Sequence, residues 1–305
     1  MIKTNGINLS VHEAGQGGIP LVLAHGWPEL AYSWRHQIPA LVEAGYHVIA
    51  PDQRGYGESD KPTRAEEYDI HHLTGDHVGL LDALNIEKAI YVGHDMGAIT
   101  LWGHALLHPD RVAGVANLSV PFMARAPSDP VVFWEKMLGS DFYIVHFNRQ
   151  PEVAAKSFHR NTERFLRNMY RTKQWLEPTE DKNEGGITEY GNVDITIGEL
   201  AISEEDLAVF VEVFEKNGFI SPCAWYRNFT RNWETTASVE QKVRHPVLMI
   251  YGEYDMVPKV DMAPYVDDLE IHTLDCAHWI QQEKPDETNR IILDWLTRRM
   301  KPLFV

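Results

Sequence analysis

An α/β fold, with a mostly parallel sheet covered by helices on both faces and an inserted helical segment, is what this sequence predicts. Three observations predict it. Short apolar runs with the length of strands buried on both faces recur along the chain. Stretches of helical periodicity separate them, the rhythm of parallel strands joined by crossover helices. That rhythm stops after Pro121 and resumes at Val247.

Taken in order, Asn5-Gly6 lies between two short alternating runs and reads as a tight hairpin turn. Ile19 to Ala24 is the first buried strand, followed by a helical face of Trp34, Ile38, Leu41 and Val42. Val48 to Ala50 is a strand, Val78, Leu81 and Leu84 mark a helix, and Ala89 to Val92 is a strand again. A helix near 98–107 and a strand over 112–118 complete the first half. From 122 to 237 aromatic and charged residues recur at helical spacing without a buried strand, which predicts a helical cap inserted between core segments 1–121 and 238–305. Its best-marked helix starts at Ser203, with Asp206 completing a capping box, presents Leu207, Phe210, Val211 and Phe214 on one face, and stops at Gly218. Strands at 247–251 and near Ile271 follow. Pro285 opens a last helix with Ile291, Ile292, Trp295 and Leu296 inward.

Composition narrows the function. With 28 basic against 44 acidic residues the formal charge is −16, which repels nucleic acid and anionic membrane surfaces. The two cysteines, Cys223 and Cys276, form neither a disulfide framework nor a zinc pattern. The first residues lack the apolar run of a signal peptide, and no stretch is long and apolar enough for a membrane span, so the expectation is a reduced, cytoplasmic protein.

The sharpest chemical signal is Val92-Gly93-His94-Asp95-Met96-Gly97-Ala98, which joins a buried strand to a helix. Flanking glycines permit the strained turn of a nucleophile elbow, which lifts one side chain above the sheet; here that side chain is a carboxylate. His25-Gly26-Trp27-Pro28-Glu29 follows the first buried strand at the sheet's carboxyl edge, where the backbone N–H groups of Trp27 and Met96 can form an oxyanion hole. Tyr251-Gly252-Glu253-Tyr254-Asp255 ends a later strand, and Asp275-Cys276-Ala277-His278-Trp279 precedes the last helix. Asp95, Asp255 and His278 thus stand in the chain order nucleophile, acid, histidine. The end of the strand at Leu118 offers no rival acid before Asp129.

These segments, with Tyr32 to Gln37 and Asp52-Gln53-Arg54-Gly55-Tyr56-Gly57-Glu58-Ser59-Asp60, resemble the α/β-hydrolase superfamily and within it the epoxide hydrolases. The most discriminating match is Trp225-Tyr226-Arg227-Asn228-Phe229 with Arg231-Asn232-Trp233, similar to the family's second cap-tyrosine motif. The resemblance implies a first cap tyrosine in the 142–147 segment. Tyr143 is the choice there, with His146 as its rival. It further implies that Glu29 and His94 shape the site of the hydrolytic water.

On this reading the Asp95 carboxylate attacks an epoxide carbon while Tyr143 and Tyr226, phenols with an ordinary pKa near ~10, donate to the ring oxygen. Water activated by His278, itself oriented by Asp255, then cleaves the ester. The implied partner is a small apolar epoxide, acted on by a monomer or homodimer without cofactor or metal. His71, His72, His77 and Asp76 could be imagined as metal ligands, but the chemistry needs none. The alternatives are a haloalkane or haloacetate dehalogenase with the same triad, and a catalytically silent receptor of the same fold. Met96 and Ile99 replace the arginines of fluoroacetate dehalogenases, and Met96 replaces the tryptophan common in haloalkane dehalogenases. All three triad residue types are present, which argues against the silent receptor.

Overall fold

The structure is a computed structural model and describes residues 1–172, 186–195 and 197–304. Positions 173–185 and 196, part of the expected insertion, lie outside the described residues. Asn5 and Gly6, both at positive φ, turn β1 (Ile2–Thr4) back onto β2 (Ile7–Leu9). There follow β3 (Val11–Ala14), β4 (Ile19–Ala24), α1 (Gln37–Glu43), β5 (Tyr46–Pro51), α2 (Ile70–Ala83), β6 (Ala89–His94), α3 (Met96–Leu107) and β7 (Val112–Leu118). Between β7 and the next strand the chain forms α4 (Pro130–Leu138), α5 (Tyr143–Arg149), α6 (Pro151–Arg160), α7 (Thr162–Met169), α8 (Glu204–Asn217), α9 (Ile220–Ala224) and α10 (Phe229–Thr235). The core resumes with β8 (Val243–Gly252), β9 (Val266–Leu274), α11 (Ile280–Glu283) and α12 (Pro285–Trp295). Among the described residues no helix is long and apolar enough to cross a membrane.

The main sheet has the order β3-β5-β4-β6-β7-β8-β9, and only β3 runs antiparallel to its neighbour. The sequence reading did not foresee β3. Its burial is intermediate to exposed, and a half-covered edge strand needs no continuous apolar run. The inner strands do: side chains alternate between faces with a period of two. Leu21, Leu23, Val48, Ile90, Val92, Leu248 and Ile250 pack on one side with Leu41 of α1 and Ile291 and Trp295 of α12. Val22, Ile49, Tyr91, Val247 and Met249 pack on the other with Leu80 and Leu81 of α2 and Leu101 and Trp102 of α3.

β4 pairs with β5 on one edge and β6 on the other, so the chain reverses its direction of travel across the sheet between β4 and β6. The loops leaving these two strands therefore face each other at the carboxyl edge, the usual place for a ligand in an open α/β sheet.

A polar group is buried on the α2/α3 face. His104 Nε2 is 3.0 Å from Tyr91 Oη, and the His77 and His104 rings are 5.6 Å apart. Nδ1 of each histidine is buried without a partner among the described residues. Burial brings the His77 imidazole down to about 4 and holds His104 well below its ordinary value.

The helices between β7 and β8 have a core of their own, in which Phe147, Phe158, Phe165, Phe210, Phe214 and Phe219 are buried together with Trp27 of the sheet edge. α8 begins as the capping box predicts, Ser203 Oγ accepting from the Asp206 N–H at 3.0 Å, and ends where Gly218 takes a positive φ. Buried bonds fasten this layer to the sheet. Tyr170 Oη donates to the Pro28 carbonyl at 2.9 Å, Trp225 Nε1 to Arg54 at 3.0 Å and Trp279 Nε1 to Met169 at 2.8 Å.

Candidate active site

β6 ends at His94, and Asp95 then adopts φ 51° and ψ −118° before α3 begins at Met96. A left-handed aspartate costs of order 1–3 kcal/mol and persists only where neighbours hold it. Close packing holds it here. A Cβ on Gly97 would fall onto the Ala24 carbonyl oxygen, and one on Gly26 would lie 2.5 Å from the Asp95 Cβ. The glycines thus let the β4 loop and the start of α3 touch.

The two oxygens of Asp95 have different surroundings. Oδ1 accepts the Trp27 backbone N–H at 2.8 Å, and Oδ2 lies 3.7 Å from His278 Nε2. Met96 opens α3, so its N–H is among the four that a helix leaves unpaired at its start. Behind the histidine, Nδ1 is 3.0 Å from Asp255 Oδ1, which also accepts the Val257 N–H at 3.1 Å. Asp255 follows β8 and His278 follows β9, so the loops after β6, β8 and β9, on either side of β7, bring the three residues together.

Burial alone would raise the Asp255 carboxyl, but the His278 charge and hydrogen bond, with bonds from Ser119 and Val257, bring it down to about 2. For His278 burial works downward and is outweighed by Asp255, then Asp95 and Glu29, so its imidazole is pushed up to about 9. It is a cation at neutral pH, held between two carboxylates.

Tyr143, the first residue of α5, and Tyr226, between α9 and α10, have ring centroids 6.1 Å apart. Burial raises both phenols, and the next cause for each is the charge of Asp95, so they stay protonated and lie within reach of its field. His146 lies elsewhere. The charges that reach it are Asp141 and Glu189, and it lines a surface cavity with Glu152, Lys156 and Arg160.

Glu29 and His94 form a fully buried pair beneath the histidine loop. His94 Nδ1 is 2.7 Å from Glu29 Oε2, and its Nε2 is 2.9 Å from the His278 carbonyl. Glu29 also accepts from the Gly26 N–H at 2.7 Å, Gln281 Nε2 at 2.9 Å and Gln282 Nε2 at 3.2 Å. Burial would raise its carboxyl, but His94, with the Gly26 N–H and the field of His25, holds it down at about 2. The pair ties the β4 loop to the backbone that carries His278.

Sequence reasoning missed Ser119, Gln281 and Gln282. Ser119 stands at φ 72° after β7, with Oγ 3.2 Å from His278 Nδ1. Its signal was its place, directly after a predicted strand at the sheet's carboxyl edge. The glutamines carried no signal beyond nearness to His278. Asp129, the only other acid weighed for the triad, caps α4 by accepting from the Val131 N–H at 2.9 Å. Of the residues imagined as metal ligands, Asp76 takes Arg54 Nε at 2.7 Å, His72 meets Asp69 at 2.7 Å, and His77 faces Tyr91 and His104.

Comparison with known proteins finds relatives along nearly the whole chain. A family model described as the alpha/beta hydrolase fold matches residues 19–285. Epoxide hydrolase A of Mycobacterium tuberculosis is 43% identical, the alignment covering 97% of this chain and 96% of the relative. Bifunctional epoxide hydrolase 2 of Sus scrofa is 38% identical over 95% of this chain, which spans 53% of that longer protein. The crystal structure of epoxide hydrolase A from Mycobacterium thermoresistibile superimposes with a TM-score of 0.87 at 39% identity, covering 97% of each chain. A Vigna radiata epoxide hydrolase mutant gives a TM-score of 0.87 at 35% identity, again over 97% of each.

Proposed function

The chain belongs to the epoxide hydrolases of the α/β-hydrolase fold, and from that premise we propose that it converts a small apolar epoxide to a vicinal diol through an alkyl ester on Asp95. The observation that carries this reading is the asymmetry of that carboxylate: Oδ1 is held by the Trp27 N–H at 2.8 Å while Oδ2 lies 3.7 Å from His278 Nε2.

Asp95 Oδ2 attacks a ring carbon, the carbon–oxygen bond breaks, and the leaving alkoxide takes a proton through Tyr143 and Tyr226. Ring strain assists the attack, and the phenols supply general-acid catalysis. Esterification removes the Asp95 charge, one of the anions that keep the His278 proton in place. The imidazole becomes less basic, and its proton replaces the one that the phenols gave to the alkoxide, so its neutral form serves as the base for the second step. Water then loses a proton to His278 and adds to the Asp95 Cγ. The oxyanion at Oδ1 stays on the Trp27 and Met96 N–H groups. Collapse breaks the Cγ–Oδ2 bond, the departing diol oxygen takes a proton from His278, and the carboxyl group left on Asp95 gives the second proton of the water to the imidazole, restoring carboxylate and imidazolium. Asp255 holds the imidazole in orientation and stabilises its cation. Glu29 and His94 support the water site by fixing both loops around it, and residues 122–237 act as the lid that carries the phenols over the 1–121 and 238–305 core.

A single turnover of styrene oxide in ¹⁸O-water, with enzyme in excess, tests this. Unlabelled diol and label in the peptide containing Asp95 are expected. Diol labelled in the first turnover, with Asp95 unlabelled, would mean that water attacks the epoxide directly. His278→Gln should then accumulate an adduct of one substrate mass, absent in Asp95→Ala.

A further inference from the structure

Away from the reaction centre a cavity of about 360 Å³ opens between α3, the 121–126 loop, α4 and α10. That size falls within the range of small-molecule sites, ~300 to ~1,000 Å³. Its wall is aromatic, with Trp102, Phe122, Phe133, Trp134, Phe229 and Trp233 among its residues, and the half-exposed Met123 at its lip.

Among the described residues Arg125 is the one cationic residue of this wall. Its guanidinium carbon lies 4.3 Å from the Trp233 ring centroid, Nε donates to the Trp233 carbonyl at 3.0 Å, and its backbone N–H donates to Gln241 Oε1 at 2.9 Å. These contacts hold the guanidinium against the wall, and among the described residues its two Nη groups have no acceptor. In a chain with 44 acidic residues a guanidinium that meets no carboxylate stands out. Most of the arginines here are ion-paired, Arg54, Arg111 and Arg231 among them.

We propose that this cavity binds an amphipathic monoanion, an apolar chain or ring bearing one carboxylate, at a site separate from the reaction centre. The apolar part lies among the indole and phenyl rings, and the carboxylate meets the Arg125 fork, a geometry that suits two parallel hydrogen bonds. Charge keeps such a ligand away from the reaction centre, where Asp95, Asp255 and Glu29 repel it. The two sites nonetheless share a partition. Ile99, one turn after Asp95, lines the cavity, and the Phe229 ring lies 6.0 Å from that of Tyr226. Occupancy therefore changes kcat for an epoxide rather than competing with it.

Titration of the whole protein with sodium decanoate, read by calorimetry and by tryptophan fluorescence, tests the site, with 1-decanol and sodium acetate run alongside. Saturable binding of decanoate is expected, and none of acetate. Arg125→Met should weaken decanoate about tenfold while leaving decanol unchanged, and Arg125→Lys should fall between. Asp95→Asn should bind decanoate like the unaltered protein. Equal decanoate affinity in Arg125→Met, no saturable binding, or strictly competitive inhibition of epoxide turnover would each overturn the proposal. Because binding is read without turnover, the failure of the proposed hydrolytic route and the failure of this site give different results.

Discussion

Acid should destabilise this protein through His77, and the size of the effect follows from its surroundings. The imidazole ordinarily titrates at 6.5 but here does so at about 4, because it is buried beside Tyr91 and His104, with the positive fields of His108 and His25 adding to the effect. A group whose folded pKa is depressed stabilises the fold above its unfolded pKa and loses that contribution as pH falls toward the folded one. Between neutral pH and about pH 5 the loss comes to about 2 kcal/mol, approaching roughly 3 kcal/mol below about pH 4. His77→Phe keeps a ring of similar shape, and the Nδ1 it removes has no partner among the described residues. Urea unfolding of both proteins near pH 7 and near pH 5 gives the comparison. The unaltered protein should lose about 2 kcal/mol more than the variant across that interval. Parallel losses would show that His77 does not titrate differently in the two states, and the reasoning would fail.

The two phenols share one task, so Tyr143→Phe and Tyr226→Phe should each slow alkylation in stopped-flow experiments, with the double variant down ~100-fold or more; a crippling His146→Phe with a silent Tyr143→Phe would move the first donor. Asp255→Asn removes the carboxylate that does most to hold the His278 proton, so NMR titration of that imidazole should fall well below about 9, and an unchanged midpoint would contradict the assigned pair. Glu29→Gln turns an acceptor of four hydrogen bonds into an amide and removes the carboxylate that His94 Nδ1 meets at 2.7 Å. About 3–5 kcal/mol of stability should be lost, read as a lowered Tm, and an unchanged Tm would refute the pairing.

How much of this was legible in the sequence depends on how far each signal depends on its neighbours. β4, β6 and β7 are buried throughout or nearly so, and their apolar runs announce this without context. β3 is decided by the strand it pairs with, and no property of Val11–Ala14 alone reveals it. Asp95 was readable because glycine must stand on both sides of so tight a crossing. Ser119 was not, since a serine after a strand is common and only the fold brings it to His278. Tyr143 and His146 sit in one short helix, where the sequence alone leaves both open as the first donor; the field of Asp95 reaches Tyr143, and those of Asp141 and Glu189 reach His146.

The unequal oxygens of Asp95 give the carboxylate a memory. In the proposed route the oxygen on the Trp27 N–H never leaves. It is the carbonyl of the ester, then the oxyanion, then part of the restored carboxylate. The oxygen facing His278 departs with each diol and is replaced from water. A side chain free to flip would scramble the two, and long turnover in ¹⁸O-water would fill both positions. One pinned as Asp95 is here keeps a founding atom through every cycle, so its peptide should gain a single heavy oxygen however many substrate molecules have passed.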